Sequence, residues 1–254
     1  MAWDPAQYEA FRGPRTRPAL DLIAALPPLD PQVIVDLGTG TGHIAQMLAE
    51  RFPNADVTGV DFSPTMLARA AAQKFRVKLR YGDLATWSPP QPVGLLFSNA
   101  ALHWLGDHAR LFRHLMGCVA PGGVLAVQMP RNFAQPSHAL MRAVATEGAW
   151  AAKLADAFTA FAHEPAFYYD VLAGSAARLD IWETDYLQVL DGPNPVLEWT
   201  KGTALLPVLE RLSESEGRAF VARYGERLLT AYPPQPDGKT LFPFRRIFIL
   251  AIGK

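Results

Sequence analysis

Val33-Ile34-Val35-Asp36-Leu37 is a short β-branched run that ends on Gly38-Thr39-Gly40-Thr41-Gly42, and no other stretch restricts the fold of this chain as strongly. Such a run is what a strand buried inside a parallel sheet requires. The three glycines after it let a ligand approach the backbone closely. His43 to Phe52 then carries Ile44, Met47 and Leu48 at helical spacing and stops at Pro53. Strand, glycine loop and helix in that order bind nucleotide-like cofactors in open α/β sheets.

The alternation continues. Asp56 to Asp61 reads as a second strand, and Ser63 is a helix N-cap with Pro64 at the first helical position of a helix carried on from Met66 to Phe75. Further strands are expected around Val77 to Tyr81, Gly94 to Ser98 and Val124 to Met129, with a helix over His108 to Val119 and a turn at Pro121-Gly122-Gly123. This is the pattern of a parallel sheet wound on both faces. Before it, Ala6 to Leu26 reads as a helical arm interrupted at Gly13-Pro14 and Pro18. Beyond Met129 the alternation stops, and Asn132 to Tyr169 has the helical spacing of an inserted cap. Strand character returns in Ile181 to Leu190 and Arg246 to Ile252, separated by helices over Val196 to Leu206 and Val208 to Tyr232. The expected organisation is one domain over 1–254: an arm at 1–30, a cofactor-binding half at 31–130, a helical cap at 131–178 and a closing part at 179–254.

Composition narrows the function. Lys and Arg total 24 against 24 Asp and Glu, and half the residues are apolar. That balance belongs to a globular protein and gives no basic excess for nucleic acid. The single Cys118 cannot form an internal disulfide, and with six scattered His it offers no paired spacing for structural zinc, so no metal is expected. Neither a basic stretch followed by an apolar one at the N-terminus nor a run of about 18 apolar residues occurs. A cytoplasmic protein that does not enter membranes is the expectation.

Three ligands compete for the glycine loop. A dinucleotide needs G-x-G-x-x-G, but position 43 is His and the third glycine comes one residue early. A phosphate loop needs a lysine after its last glycine, and none follows Gly42. S-adenosylmethionine is cationic at its sulfonium and ammonium, so Asp36, which repels a pyrophosphate, attracts it. Asp61 at the end of the second strand is placed to accept from ribose hydroxyls. Asp83 after the third strand can accept from an adenine amine, with Leu84 supporting the ring, and Asn99 ends the fourth strand at the same edge. The expected cofactor set is Asp36, Gly38, Thr39, Gly40, Gly42, Asp61, Phe62, Met66, Asp83, Leu84, Asn99 and Trp104.

Val35 to Gly42, Asp61, Gly82-Asp83-Leu84 and Pro121-Gly122-Gly123 together resemble the class I S-adenosylmethionine-dependent methyltransferases. The resemblance implies a Rossmann-like, seven-stranded mixed sheet of order 3-2-1-4-5-7-6 with the last strand antiparallel. A narrower one covers nearly the whole chain, through Arg15-Thr16-Arg17-Pro18-Ala19, Asp83-Leu84-Ala85-Thr86-Trp87, Gly122 to Pro130, Glu198-Trp199-Thr200-Lys201-Gly202-Thr203 and Ala231-Tyr232-Pro233-Pro234. These segments are similar to the trans-aconitate 2-methyltransferase family, which implies methyl ester formation on a small polycarboxylic acid such as trans-aconitate. In that family a basic residue often stands where this chain has Leu206, another where it has Pro243, and Gln where it has His103.

A carboxylate acceptor is already ionised near neutral pH and needs no general base, so the enzyme has to position and desolvate it. Arginine suits the task because its planar fork grips carboxylates in pairs. The expected acceptor-binding residues are Arg15, Arg17, Arg131 and Arg245, with Trp199, Lys201 and Tyr232 as walls or donors. Surface charge is the alternative for any one arginine. Arg131 and His103 are the catalytic candidates, His103 serving as base if the acceptor is a hydroxyl or amine and as a packing residue otherwise. Trp3, Tyr8 and Phe11 are candidates for a lid. Two further alternatives are a carboxyl group on a carrier protein as acceptor, and an S-adenosylmethionine-binding module without turnover. A monomer or weak dimer is expected.

Overall fold

A computed structural model of the chain describes the backbone of residues 12–254 and the side chains from Thr16 onward. Trp3, Tyr8, Phe11 and the Arg15 side chain lie outside that range. Seven strands form one sheet in the order β3-β2-β1-β4-β5-β7-β6. They are β1 (Val33–Leu37), β2 (Asp56–Asp61), β3 (Lys78–Tyr81), β4 (Val93–Asn99), β5 (Val119–Pro130), β6 (Ala176–Leu190) and β7 (Thr240–Gly253). The pairs β1–β2, β2–β3, β1–β4 and β4–β5 are parallel. β7 runs antiparallel to β5, from Val124 opposite Ile252 to Pro130 opposite Arg246. Order and sense are those implied by the methyltransferase resemblance.

The helices are α1 (Arg12–Ala24), α2 (His43–Arg51), α3 (Pro64–Ala72), α4 (His108–Gly117), α5 (Pro136–Ala145), α6 (Ala151–Leu154), α7 (Pro165–Leu172), α8 (Pro195–Lys201), α9 (Leu206–Leu209) and α10 (Glu214–Ala231). Three local expectations are corrected. Pro18 lies inside a continuous α1 and does not interrupt it. Ala19 and Leu22 are fully buried, and their packing offsets the roughly 3 kcal/mol that an interior proline costs. Pro121-Gly122-Gly123 is a bulge within β5 rather than a turn before it: Val93 pairs with Val119, but Leu95 already pairs with Val124. Gly122 takes φ +74 there, and a Cβ on Gly123 would press to 3.0 Å of the carbonyl oxygens of Ala120 and Gly94. The helix expected over Val208 to Tyr232 is divided into α9 and α10. Ser213 starts α10 with a capping box, accepting from the Glu216 amide while its own amide donates to Glu216 Oε2 at 2.9 Å.

Contacts divide the chain into two compact units. The first comprises Pro18–Pro130, Ala162–Thr184 and Arg246–Lys254. Its core lies along the sheet, with Leu37, Leu96, Phe112, Leu125, Val127 and Ile249 all sealed from solvent. The second comprises Arg131–Phe161 and Asp185–Arg245 with the described part of Met1–Arg17. It is built mainly of helices around Trp199, Phe220, Tyr224, Leu228 and Phe242.

Candidate active site

In the first unit β1 ends at Leu37, and the amides of Gly38 and Thr39 both donate to the Val60 carbonyl, at 2.8 and 3.0 Å. Gly38 has φ +84, and a Cβ there would lie 2.2 Å from the Ala101 methyl. Only glycine turns the chain at that point. Gly40 also has a positive φ, but a Cβ on it would meet nothing within 4 Å among the described residues, so among them its backbone is open to a ligand. Gly42, at φ 80, caps α2.

Asp61 joins two loops. Its Oδ2 accepts from the Gly40 amide and its Oδ1 from the Ser63 amide, both at 2.8 Å. A carboxylate has about four acceptor positions, so both oxygens keep capacity for hydroxyl donors. The Met66 amide donates to Ser63 Oγ, which starts α3 as expected, while Phe62 stands exposed beside the turn. Asp36 is sealed by the sheet, and its Oδ2 has no hydrogen-bond partner among the described residues. Burial pushes its carboxyl up to about 7; the adjacent Thr39 hydroxyl offsets part of that rise and the charge of Asp61 adds to it. A buried carboxylate of this kind is suited to a cationic ligand that restores its ionised form.

Asp83 closes the next turn, accepting from the Ala85 amide at 3.0 Å and the Thr86 hydroxyl at 3.2 Å, while Leu84 is buried. At the end of β4, Asn99 is half-buried, and the Ala100 amide donates to the Gln128 carbonyl at 2.8 Å. A single 3-10 turn, Leu102–Trp104, follows. His103 is buried in it, 4.8 Å ring to ring from Trp104, which is just under half exposed. The turn is held from behind by His108 Nε2, which donates to the Leu102 carbonyl at 3.1 Å. The sheet thus gathers Asp36, Gly38 to Gly42, Asp61, Asp83 and Asn99 at the carboxyl ends of neighbouring strands, where open α/β sheets bind ligands.

The expected acceptor residues lie in the second unit, apart from Arg15, whose side chain is outside the described range. Arg245 makes a two-pronged ion pair with Asp185 at 3.0 and 2.9 Å, and its carbonyl accepts from the Arg131 amide. Arg17 lies over the Tyr186 ring at 5.3 Å. Lys201 is paired with Glu198 at 2.6 Å. Trp199 and Tyr232 both pack against Phe242 in the core of this unit, and the Tyr232 hydroxyl accepts from the Ser137 amide. Arg131 and Arg245 are therefore brought together through their backbones, and Trp199 and Tyr232 through a shared ring.

Two buried amides were missed by the sequence reading. Gln128 in β5 and Asn132 just beyond it are almost wholly buried, and neither side chain's oxygen or nitrogen has a partner among the described residues. The signal for Gln128 was available: it is the one polar residue in Val124-Leu125-Ala126-Val127-Gln128-Met129.

The methyltransferase domain family matches residues 34–123, which span β1 to the β5 bulge. The trans-aconitate 2-methyltransferase of Azoarcus sp. (strain BH72) is 48% identical over 252 residues, covering 98% of each chain. The chain belongs to the trans-aconitate 2-methyltransferase family. The Methylobacterium radiotolerans member of that family is 44% identical, over 98% of this chain and 97% of its own. Among solved structures, the YcgJ protein of Bacillus subtilis superposes with a TM-score of 0.62 at 14% identity, over 94% of this chain and 98% of its own. A Haemonchus contortus phosphoethanolamine N-methyltransferase, solved with S-adenosylhomocysteine, has a TM-score of 0.56 at 17% identity, over 93% of this chain and 52% of its own.

Membership makes the chain an S-adenosylmethionine-dependent methyltransferase. The residues present suit that cofactor: an open glycine backbone at Gly40, a buried acid at Asp36 with an oxygen unpartnered among the described residues, and acceptor capacity at Asp61. No helix among the described residues is long and apolar enough to cross a membrane.

Proposed function

We propose that the chain transfers a methyl group to one carboxylate of a small polycarboxylic acid, trans-aconitate or a close relative, giving a methyl ester. End-to-end likeness to relatives named for that reaction carries the reading, with up to 48% identity over 98% of both chains. Residues 1–254 act in it as one methyltransferase domain, placed in the cytoplasm as a monomer or weak dimer with no nucleic-acid partner. The zero net charge supports the last point.

S-adenosylmethionine, when bound, supplies an electrophilic methyl group on a sulfonium. Asp36 is assigned to its cationic amino-acid end, Gly38, Thr39, Gly40 and Gly42 to close backbone contact, and Asp61 to the ribose hydroxyls. Phe62, Met66, Asp83, Leu84, Asn99 and Trp104 are assigned to the adenosine and its surroundings. The chain's own work on the acceptor is to hold a carboxylate oxygen in line and to exclude water; near-attack positioning is worth roughly 7 to 11 kcal/mol. Arg131 leads the acceptor side, directly after β5, with Arg17, Arg245 and Lys201 as further cations; Arg245 is paired with Asp185 and Lys201 with Glu198. His103 moves no proton in ester formation and acts as a base only with a hydroxyl or amine acceptor.

The test is titration with S-adenosylhomocysteine, followed by assay of methyl ester formation on trans-aconitate. Binding with ester formation supports the reading. Binding with methylation of phenols or amines alone overturns the acceptor. Binding without turnover on any acceptor favours a module that retains only cofactor recognition.

A further inference from the structure

We infer that Gln128 is an acceptor-binding residue whose side-chain amide holds a carboxylate of the methyl acceptor, an inference that rests on the function proposed above. Register fixes the face on which Gln128 lies. Asp36 of β1 is opposite Phe97 of β4, Phe97 is opposite Ala126 of β5, and Asn99 is opposite Gln128. Residues in register share a face, as do residues two apart on one strand. Asp36, Asn99 and Gln128 therefore lie on the same side of the sheet, at its carboxyl-end rim. Gln128 also pairs with Phe248 of β7, whose ring is stacked on Trp182 at 4.8 Å and 5°. One flank of the glutamine is thus closed by stacked rings, and the other is Asn99, which is half-buried with an Oδ1 that has no partner among the described residues.

Gln128 is 1% exposed, and both of its side-chain polar atoms lack partners among the described residues. Burying an amide unpaired is costly, and at this position an apolar side chain of the same length packs without that cost. Its backbone already serves the sheet, accepting from the Ala100 amide. The NH2 group of the side chain is accounted for by a ligand that takes hydrogen bonds from it.

Position identifies the ligand. β5 is two strand spacings from β1, about 10 Å across the sheet, so a group touching Gln128 lies well past the one that Asp36 attracts. That separates it from the cofactor's amino-acid end and leaves the acceptor. A neutral amide donates to a carboxylate oxygen without pairing its charge, so the oxygen is oriented while its electron pairs remain nucleophilic.

The test compares wild type with Gln128→Met, which keeps length and removes the hydrogen bonds, and with Gln128→Glu, which adds a like charge. Expected are a Gln128→Met protein at least as heat-stable as wild type, S-adenosylhomocysteine affinity within twofold, and a KM for trans-aconitate raised at least tenfold. Gln128→Glu raises that KM further. An unchanged KM in Gln128→Met overturns the assignment, as does a loss of S-adenosylhomocysteine affinity that parallels the KM change. Failure of both variants to fold also overturns it, since the amide is then structural. Wild-type protein that methylates no polycarboxylate overturns the proposed function, and the carboxylate at Gln128 with it, before any variant is made.

Discussion

The Tyr168 hydroxyl and His108 Nδ1 lie 2.8 Å apart in the buried interior of the first unit, and their neighbours fix which of them donates. The His163 amide donates to the Tyr168 oxygen at 3.1 Å, and His108 Nε2 donates to the Leu102 carbonyl, so the hydroxyl hydrogen points to Nδ1. One neutral tautomer satisfies every group in the line. The line ends on the turn that carries His103 and Trp104.

Acid therefore works against the fold at His108. Burial, with the Leu102 carbonyl opposing and His163 adding, lowers its pKa from 6.5 to about 4. The unfolded chain binds the proton first, so stability is complete above about pH 6.5, falls as pH drops from there, and levels off below about pH 4. The loss amounts to about 3 kcal/mol. Thermal melts of wild type and His108→Gln across pH 4 to 7 check this: the variant is less stable at pH 7 but loses less on acidification, and parallel curves would count against it.

Two glycines in one loop are expected to fail differently. Gly38→Ala sets a Cβ 2.2 Å from Ala101 and costs on the order of 3 kcal/mol of stability. Gly40→Ala meets no described residue within 4 Å, so its cost is the roughly 1 to 2 kcal/mol of a left-handed alanine, and it folds. Its methyl instead blocks the ligand. Melting temperature and S-adenosylhomocysteine titration separate the pair; a Gly40→Ala protein that binds normally would sink the placement of the cofactor over Gly40.

Asp61 organises the loop and is assigned to bind through it. Asp61→Asn turns an NH2 group toward one of the two amides it now accepts from, and a hydrogen bond to a charged group contributes about 1.5 to 3 kcal/mol. Affinity for S-adenosylhomocysteine is expected to fall roughly 10- to 100-fold. Calorimetric affinity within threefold of wild type would remove Asp61 from the site.

Asp36 makes cofactor binding depend on pH in the same sense as the His108 effect on stability, both being lost on acidification, but around a higher pH. Its carboxyl, raised to about 7, ionises as pH goes from 6 to 8, and only the ionised form attracts an ammonium. S-adenosylhomocysteine is expected to bind several-fold more tightly at pH 8 than at pH 6, and Asp36→Asn to bind weakly with a flat profile. A flat wild-type profile rules this out.

Arg131→Ala is expected to raise the KM for trans-aconitate at least tenfold with cofactor affinity unchanged, because removing a charged partner from a carboxylate costs upward of about 1.5 kcal/mol. Arg245→Ala, which first breaks the pair with Asp185, is expected to move it less. Steady-state kinetics on both variants decide, and equal effects would contradict the ranking.

The parallel half of the sheet was legible because its signals are local. Ile34 to Leu37 is buried as a run, Ser63 caps its helix, and the glycines fall where φ is positive. What was misread depends on distant partners. Pro18 is tolerated because Ala19 and Leu22 are buried, and Pro121-Gly122-Gly123 bulges because β4 continues beside it. Ser213 with Glu216 was readable as a capping box but was passed over inside a long helical pattern. Trp199 and Tyr232 stand in the second core, and the partner of Arg245 lies 60 positions away. No periodicity encodes such meetings.

The antiparallel pairing of β5 with β7 carries a cost in time. Pro130 and Arg246 sit side by side in the sheet, yet on the order of a hundred residues separate them in the chain. Closing so long a loop adds only a few kcal/mol of entropy, but it orders events. While the protein is being synthesised, β1 to β5 can assemble from nearby sequence, and β5 then waits as a bare edge until the ribosome has delivered every residue up to β7. The nascent chain thus presents an apolar strand, Val124 to Met129, to any passing partner during that interval.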